Sequence, residues 1–599
     1  MRSYALFMRT TRFTVAMPRP ETHLYEITME IDPGRATVLE LVLPVWTPGS
    51  YLVREFSRHI RDLSAKGKNG RPLPALKVEK NRWRLSLPSK KSESPGLVSI
   101  SYRVYAHELT VRTSHLDATH GYGNGANLFF YVEGRKDEPM EVAFRLPRGW
   151  KTSMALPARG GVFRAASYDE LVDSPFECGT HRTFEFRVKG VPHTLAIWGT
   201  GNDDAPRLVK DLRKLVAEAA SLFGGLPYER YLFLAHLAPG ARGGLEHRAS
   251  QSVAIDPWAF QPEKAYRDTL LLFSHELFHA WNVKRIRPEA LGPFDYTKEV
   301  HTRDLWAMEG ITSYYEVLLA VRSGLLTPAQ GFEEWMTSWT GHLETPGRTV
   351  QSAEMASFDT WIRFYRPDEN SVNVAESYYR RGQLLGLALD LTIRGATAGR
   401  RGLDDVMRLM WRRWGSKGKG YPEGAVEDAA GRVLASRAKA RRFFDRYVRG
   451  TGSPDLARLL PAAGLALNLV PEAEEGVTDA DPVKTRGSFG WKLKTENGRL
   501  LVSEVLERGA AQKGGVNAGD ELVAVDDIRA TEDFLRRKAV ETGPGARVRV
   551  TVLRRDRVTT FRLTLGARKA GVWKIAPAKG AAPAAKRLAR RWLGSPVSA

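Results

Sequence analysis

Residues 274–285 read SHELFHAWNVKR, and His275-Glu276-Leu277-Phe278-His279 within them spells HExxH. On an α-helix each residue turns about 100°, so His275 and His279 project from one face, a turn apart, and can share one metal ion. Zinc takes neutral imidazole nitrogens in a tetrahedral site, and a catalytic site keeps one position for water. Glu276 can reach that water without ligating the ion. The other face of the segment supports the helix: Tyr266, Leu270, Phe273, Leu277 and Trp281 recur at spacings of 4, 3, 4 and 4, an apolar stripe turned away from the histidine pair.

A two-histidine site needs another donor. Glu309, in the helical segment LWAMEGITSYYE, lies thirty residues beyond His279, and Glu316, Glu299 and His301 are its rivals. Two His and one Glu leave an open position, as hydrolytic zinc requires.

A chain of 599 residues exceeds what one hydrophobic core serves, so two to four domains are expected. In residues 1–190 the stretches HLYEITMEI, ATVLELVLPVW, RWRLSLP, LVSISYRVY, NLFFYVEG, EVAFRLP and TFEFRVKG alternate apolar with polar between Gly, Pro and Asn clusters, which predicts an N-terminal β-sandwich-like domain. Over residues 191–465 the period becomes helical, in DLRKLVAEAASLFGGL, KAYRDTLLLFSHELFHAWNV, RDLWAMEGITSYYEVLLAVRSG and SYYRRGQLLGLALDLTIRG, with YLFLAHLA and SQSVAIDP as intervening strands. Acidic residues and Pro predict a linker over 466–486, after which short strands resume near Gly487. Residues 568–599 are rich in Ala, Pro, Lys and Arg and contain no acid, which predicts a basic, solvated tail.

Hydrophobic residues at 43% and charged residues at 26% describe a folded chain, and no run of about eighteen apolar residues predicts a transmembrane segment. The opening MRSYALFMRTTRFTVAMPRPETH scatters arginines through its apolar patches, so it reads as mature sequence and a cytoplasmic location is expected. Cys178 is the one cysteine, which excludes intrachain disulfides and Cys-rich metal clusters and predicts a core filler. The net charge of +22 is spread along the chain, so a basic solvated surface with no nucleic-acid partner is expected.

These motifs together resemble the gluzincin aminopeptidases, zinc enzymes with a thermolysin-like catalytic domain and a third ligand in an E-G-x-T pattern that Glu309-Gly310-Ile311-Thr312 fits. More narrowly, the chain is similar to the glycyl aminopeptidase family that carries a PDZ domain, through VWTPGSYLVREFSRHI, GGLEHRAS, HELFHAWNVKRIRP, WAMEGITSYY and SYYRRGQLLGLALDLTIR. The resemblance implies a multidomain α+β protein: an N-terminal β-sandwich-like domain, a thermolysin-like, mainly helical catalytic domain and a C-terminal PDZ domain over 487–567. It implies one zinc ion per chain on His275, His279 and Glu309, with Glu276 as general base.

GGLEH, residues 243–247, is similar to the exopeptidase signature GxMEN, which implies that Glu246 binds the free amino terminus of a peptide. His247 stands where the superfamily has Asn. Gly243 and Gly244 fit that role physically, since a glycine-rich turn lets backbone approach a substrate closely. Tyr379 aligns with the tyrosine that donates a hydrogen bond to the tetrahedral intermediate, and Tyr378 is its rival. The implied activity is removal of N-terminal residues, Gly first and Ala second, from peptides with a free amino terminus. A zinc endopeptidase and a non-catalytic peptide-binding scaffold are the alternatives.

GSFGW resembles a PDZ carboxylate-binding loop, although Ser488 and Phe489 depart from the usual order. A peptide C-terminus or an internal strand is the expected partner there. The competing reading is a module that packs on the catalytic domain and gates it.

Overall fold

The computed structural model describes residues 10–88, 96–472, 479 and 481–597. The chain divides into two units, one of Met1–His301 with Met407–Glu423 and the other of Thr302–Val406 with Gly424–Ala599.

In the first unit, the alternation of LYEITMEI becomes the strand Leu24–Ile31, with Tyr25, Ile27, Met29 and Ile31 buried. It lies between Thr11–Ala16 and Val98–Tyr105 in an eight-stranded sheet, antiparallel to both. A four-stranded sheet of Tyr131–Val132, Val38–Val42, Arg82–Ser86 and Ala75–Glu79 shares its core, where Phe13, Ile27, Leu41, Trp83 and Phe130 meet. This is the expected sandwich of two sheets packed by their apolar faces.

NLFFYVEG departs from the expected strand: Gly125–Leu128 is a helical turn and Tyr131–Val132 alone pairs in the sheet. The side chain of Asn124 accepts from the Ala126 amide and caps that turn, and the apolar run that follows is buried on all sides rather than on alternate residues.

A five-stranded sheet follows, in the order Arg182–Val188, Val191–Trp198, Tyr231–Leu237, Ser250–Ile255, Gly243–Glu246. The three middle strands run parallel, and Gly243–Glu246 returns antiparallel along one edge. TFEFRVKG therefore pairs here, through a tight hairpin at Lys189 and Gly190, and not in the sandwich. The helix Ala205–Phe223 is capped by Asp204 and ended by Gly224 at φ 82°. It packs beside Glu263–Phe278, with the Tyr266 hydroxyl donating to Asp211 at 2.9 Å.

The second unit is built on the helices Ile311–Arg322, Pro328–Leu343 and Tyr378–Ala396. The strand Leu465–Pro471 pairs along its full length with Gly571–Pro577, so the start of the expected linker is sheet, while its residues 473–478 and 480 lie outside the described residues. A five-strand path from Trp491–Glu496 to Arg557–Thr564 and the helix Glu532–Thr542 bury Val502, Leu522, Val525, Leu535, Val550 and Leu563 between them. Asn373 clips this module to the helices: its amide donates to the Val505 carbonyl at 2.8 Å, and its oxygen accepts from the Glu507 amide at 2.8 Å.

The basic tail is a correction to the sequence reading, because Pro583–Leu593 is an amphipathic helix docked in this unit. Leu588, Ala589, Trp592 and Leu593 are buried, Trp592 stacks on Trp335 with centroids 5.5 Å apart, and its indole donates to the Tyr314 hydroxyl at 2.8 Å. The lysine and arginines face water while one stripe packs. No helix among the described residues is long and apolar enough to cross a membrane.

Candidate active site

The HExxH segment occupies the last turns of the helix Glu263–Phe278, with His279 as its C-cap. Tyr266, Leu270, Phe273, Leu277 and Trp281 are all buried, as the apolar stripe predicts. The rings of His275 and His279 stand 4.7 Å apart. His279 Nδ1 lies 2.8 Å from the Asn282 carbonyl, which can only accept, so Nδ1 carries the proton and the ring's lone pair is on Nε2. The turn that delivers this carbonyl is strained: Val283, a β-branched residue, has φ 99°. The bonds Lys284 N to His279 O and Ile286 N to Trp281 O close it at 3.1 and 2.7 Å.

The edge strand Gly243–Glu246 runs past this helix end. A Cβ on Gly244 would stand 2.0 Å from Glu276 Oε1, so only glycine lets the strand pass with Glu276 in place. One on Gly243, at φ 140°, would stand 3.4 Å from the Arg112 guanidinium. Glu246 is buried against Gly49, where an added Cβ would stand 2.6 Å from its Oε2. Gly49 has φ 90° and turns the chain inside VWTPGSYL; the Pro-Gly pair was the signal for a turn, but its neighbour is nearly two hundred residues away. Glu246, Glu276 and His279 each bring a possible ligand atom into a group no more than 4.8 Å across.

Two further charges in this unit went unnoticed in the sequence. Lys284 donates to Asp173 Oδ1 at 2.8 Å, and His247 Nδ1 lies 3.2 Å from the same oxygen. Burial by itself would lower the Lys284 ammonium, but Asp173, Glu246 and Glu276 outweigh it and raise the pKa. Burial likewise pushes Asp173 up, yet Lys284 and His247 hold its carboxyl well below the usual carboxylate range. A buried cation therefore balances the carboxylates beside the helix.

Glu309 belongs to the second unit, on a π-helical turn, Trp306–Gly310, ahead of Ile311–Arg322. It is buried, whereas its rivals Glu299 and His301 are exposed and Glu316 is half-buried. The turn crosses the helix Tyr378–Ala396 through paired glycines: a Cβ on Gly310 would lie 2.2 Å from Gly382 Cα, and one on Gly382 2.3 Å from the Trp306 carbonyl. That crossing explains why a glycine follows Glu309 and another comes three residues after Tyr379. Tyr378 is fully buried and its hydroxyl accepts from Thr360 at 3.1 Å. Tyr379 is half-buried, its ring 5.5 Å from Phe364.

Family models match the Peptidase M61 N-terminal domain over residues 12–180, M61 glycyl aminopeptidase over 268–385 and a PDZ domain over 479–553. The chain is similar to the crystal structure of an aminopeptidase N family protein from Idiomarina loihiensis, at 30% identity and TM-score 0.89, over 97% of this chain and 100% of that one. This chain belongs to the M61 glycyl aminopeptidase family.

As an M61 peptidase it is a hydrolase acting on peptides. An M1 zinc metallopeptidase mutant from Deinococcus radiodurans, bound to a Tyr-Ser-Ala substrate, is similar at 16% identity and TM-score 0.48, over 75% of this chain and 95% of that one. Among curated proteins none matches. The PDZ domain of the M61 peptidase keeps Trp491–Glu496 at the edge of its sheet, the position at which PDZ domains add a peptide strand. Phe489 is buried and stacks on Trp491 with centroids 4.6 Å apart, and Gly490 supplies the φ of 71° that turns the loop.

Proposed function

We propose that this M61 peptidase is a zinc-dependent aminopeptidase that removes N-terminal residues, Gly first and Ala second, from peptides with a free amino terminus. The observation that carries the reading is the packing of Glu246, Glu276 and His279 into one buried group beside His275. The tautomer imposed on His279 by the Asn282 carbonyl suits a metal ligand. His275, His279 and Glu309 would hold the ion, and the burial of Glu309 relative to its rivals supports that choice. Zinc bound there supplies Lewis acidity at neutral pH.

Glu276 takes the proton of the attacking water on its carboxylate and returns it to the leaving amine. Glu246 binds the α-ammonium through a charge-assisted hydrogen bond and fixes the register at the first residue. The turn at Gly49 crowds that carboxylate and supports a preference for small first residues. Lys284 offsets the charge of the two glutamates. Tyr379 donates a hydrogen bond from its hydroxyl to the developing oxyanion, a role that its partial exposure supports over that of Tyr378.

Glu246→Gln tests the reading against a rival in which Glu246 is itself a ligand. The variant keeps the zinc content of the unmodified enzyme and loses about 10- to 100-fold in kcat/KM on glycyl substrates, the range expected for one charge-assisted bond. Loss of zinc from this variant, or equal cleavage of acetylated and unblocked peptides by the unmodified enzyme, overturns the assignment.

A further inference from the structure

Apart from the HExxH helix, five histidines of the first unit form a chain of neighbouring rings. Centroids of His23 and His107 lie 3.8 Å apart, His107 and His115 5.4 Å, His115 and His120 5.0 Å, and His120 and His236 6.1 Å. His115 and His120 sit on the paired strands His115–Leu116 and His120–Gly123, and Asp117 lies in the turn between them. Asp117 Oδ1 accepts from the Thr119 amide and hydroxyl and from the His120 amide, at 2.7, 2.6 and 3.1 Å. Those bonds fix the turn through one oxygen and leave Oδ2 facing His115 Nε2 at 3.2 Å.

We propose that His115, Asp117 and His120 form a second metal site, for a zinc ion, that clamps this hairpin to the sheets around it. Each of the three offers a ligand atom, and these atoms lie within 4.8 Å of one another. Two donors about 2.0 to 2.1 Å from one tetrahedral zinc stand roughly 3.4 Å apart, close to the separation of His115 and Asp117. His120 is fully buried, with Nδ1 2.9 Å from Glu177 Oε1. That carboxylate accepts from the Nδ1–H and leaves the lone pair on Nε2, the arrangement that orients and strengthens a histidine ligand. His120 Nε2 is buried and has no hydrogen-bond partner among the described residues, which is costly for an ordinary core histidine.

Glu177 also holds His236 on the five-stranded sheet, its Oε2 3.0 Å from Nε2, and Trp198 of that sheet stacks on His120 at 3.5 Å. A metal on His120 would thus tie the hairpin to the strands Phe176–Gly179 and Tyr231–Leu237. His107 is exposed beside His115 and provides the route of entry. Two imidazoles and a carboxylate suit zinc over the harder magnesium and calcium.

The test uses the full chain carrying His275→Ala and His279→Ala, so that the HExxH helix contributes no metal. After equilibration with excess zinc and gel filtration, elemental analysis finds about one zinc per chain, and cobalt substitution gives visible d–d absorption of a nitrogen- and oxygen-ligated ion. Adding Asp117→Asn, which keeps the acceptor for the turn but removes the charge, abolishes both signals, and so does His120→Gln. A zinc-free, cobalt-silent His275→Ala/His279→Ala protein overturns the proposal. Metal binding that survives both additional substitutions overturns it equally, and near-UV circular dichroism confirms that the chains compared are folded.

Discussion

Gly244 and Glu276 fit together only because one of them lacks a side chain: a Cβ on Gly244 would stand 2.0 Å from Glu276 Oε1. The smallest substitution at 244 must therefore move the carboxylate to which the proton transfers are assigned. Gly244→Ala is expected to lower kcat by about 100-fold, the lower end of what a positioned general base contributes, with zinc content unchanged. Parallel kinetics and metal analysis check this, and an alanine variant of normal turnover would show that Glu276 acts from another position.

Glu276→Gln separates proton transfer from metal binding. The amide keeps the size of the side chain but cannot accept the water's proton, so turnover falls by about 100- to 10,000-fold while zinc stoichiometry holds. Joint loss of zinc and activity would instead place Glu276 among the ligands, the grouping that its proximity to Glu246 and His279 also allows.

The two adjacent tyrosines make opposite predictions. Tyr379→Phe is expected to lose about 10- to 100-fold in kcat with little change in KM, because the proposed role uses its hydroxyl in the transition state. Tyr378→Phe keeps its kinetics and loses about 1 kcal/mol of stability, the usual worth of a buried hydrogen bond such as that from Thr360. Steady-state kinetics and thermal melts on both variants decide between them.

The HExxH helix was legible because its evidence is local: a stripe at helical spacing, and two histidines a turn apart on another face. The alternating strands of the sandwich were legible for the same reason. What stayed hidden is contact between distant residues. Gly49 against Glu246, Gly310 against Gly382 and Lys284 against Asp173 are close approaches whose partners nothing in the local pattern names. Leu465–Pro471 looked like linker because the strand it pairs with comes a hundred residues later. The tail looked solvated because its Lys and Arg stand among Ala and Pro with no acid to pair them, although Leu588, Ala589, Trp592 and Leu593 lie on one helical stripe.

That stripe makes the C-terminal helix a structural element of the second unit. Trp592 is fully buried, stacked on Trp335, and hydrogen-bonded both ways: its indole to Tyr314 and its carbonyl from Arg322 at 2.9 Å. Trp592→Ala is expected to cost about 3 to 5 kcal/mol, as for other large-to-small core changes. Denaturant titration measures it, and a loss below about 1 kcal/mol would mean that the helix is not docked in solution.

His193 sets a pH dependence of stability away from both histidine clusters. Its ring is buried, packed flat on Phe186 at 5.0 Å, with Nδ1 3.0 Å from the Val191 carbonyl and Nε2 3.3 Å from the Tyr228 hydroxyl. Burial pushes its pKa down to about 4. An unfolded histidine titrates near 6.5, so above about pH 6.5 both states carry a neutral ring and the folded state keeps its full stability. As the pH falls from about 6.5 toward 4 the unfolded chain takes up a proton that the folded chain refuses, and stability drops by on the order of 1 kcal/mol per pH unit from this ring. Below about 4 both states are protonated and this contribution to the slope ends. His193→Gln, compared with the unmodified chain by denaturant titration at steps between pH 7 and pH 4.5, is expected to be less stable at neutral pH and to lose stability less steeply on acidification. Parallel profiles for the two proteins would show that His193 protonates in the folded state as readily as in the unfolded one.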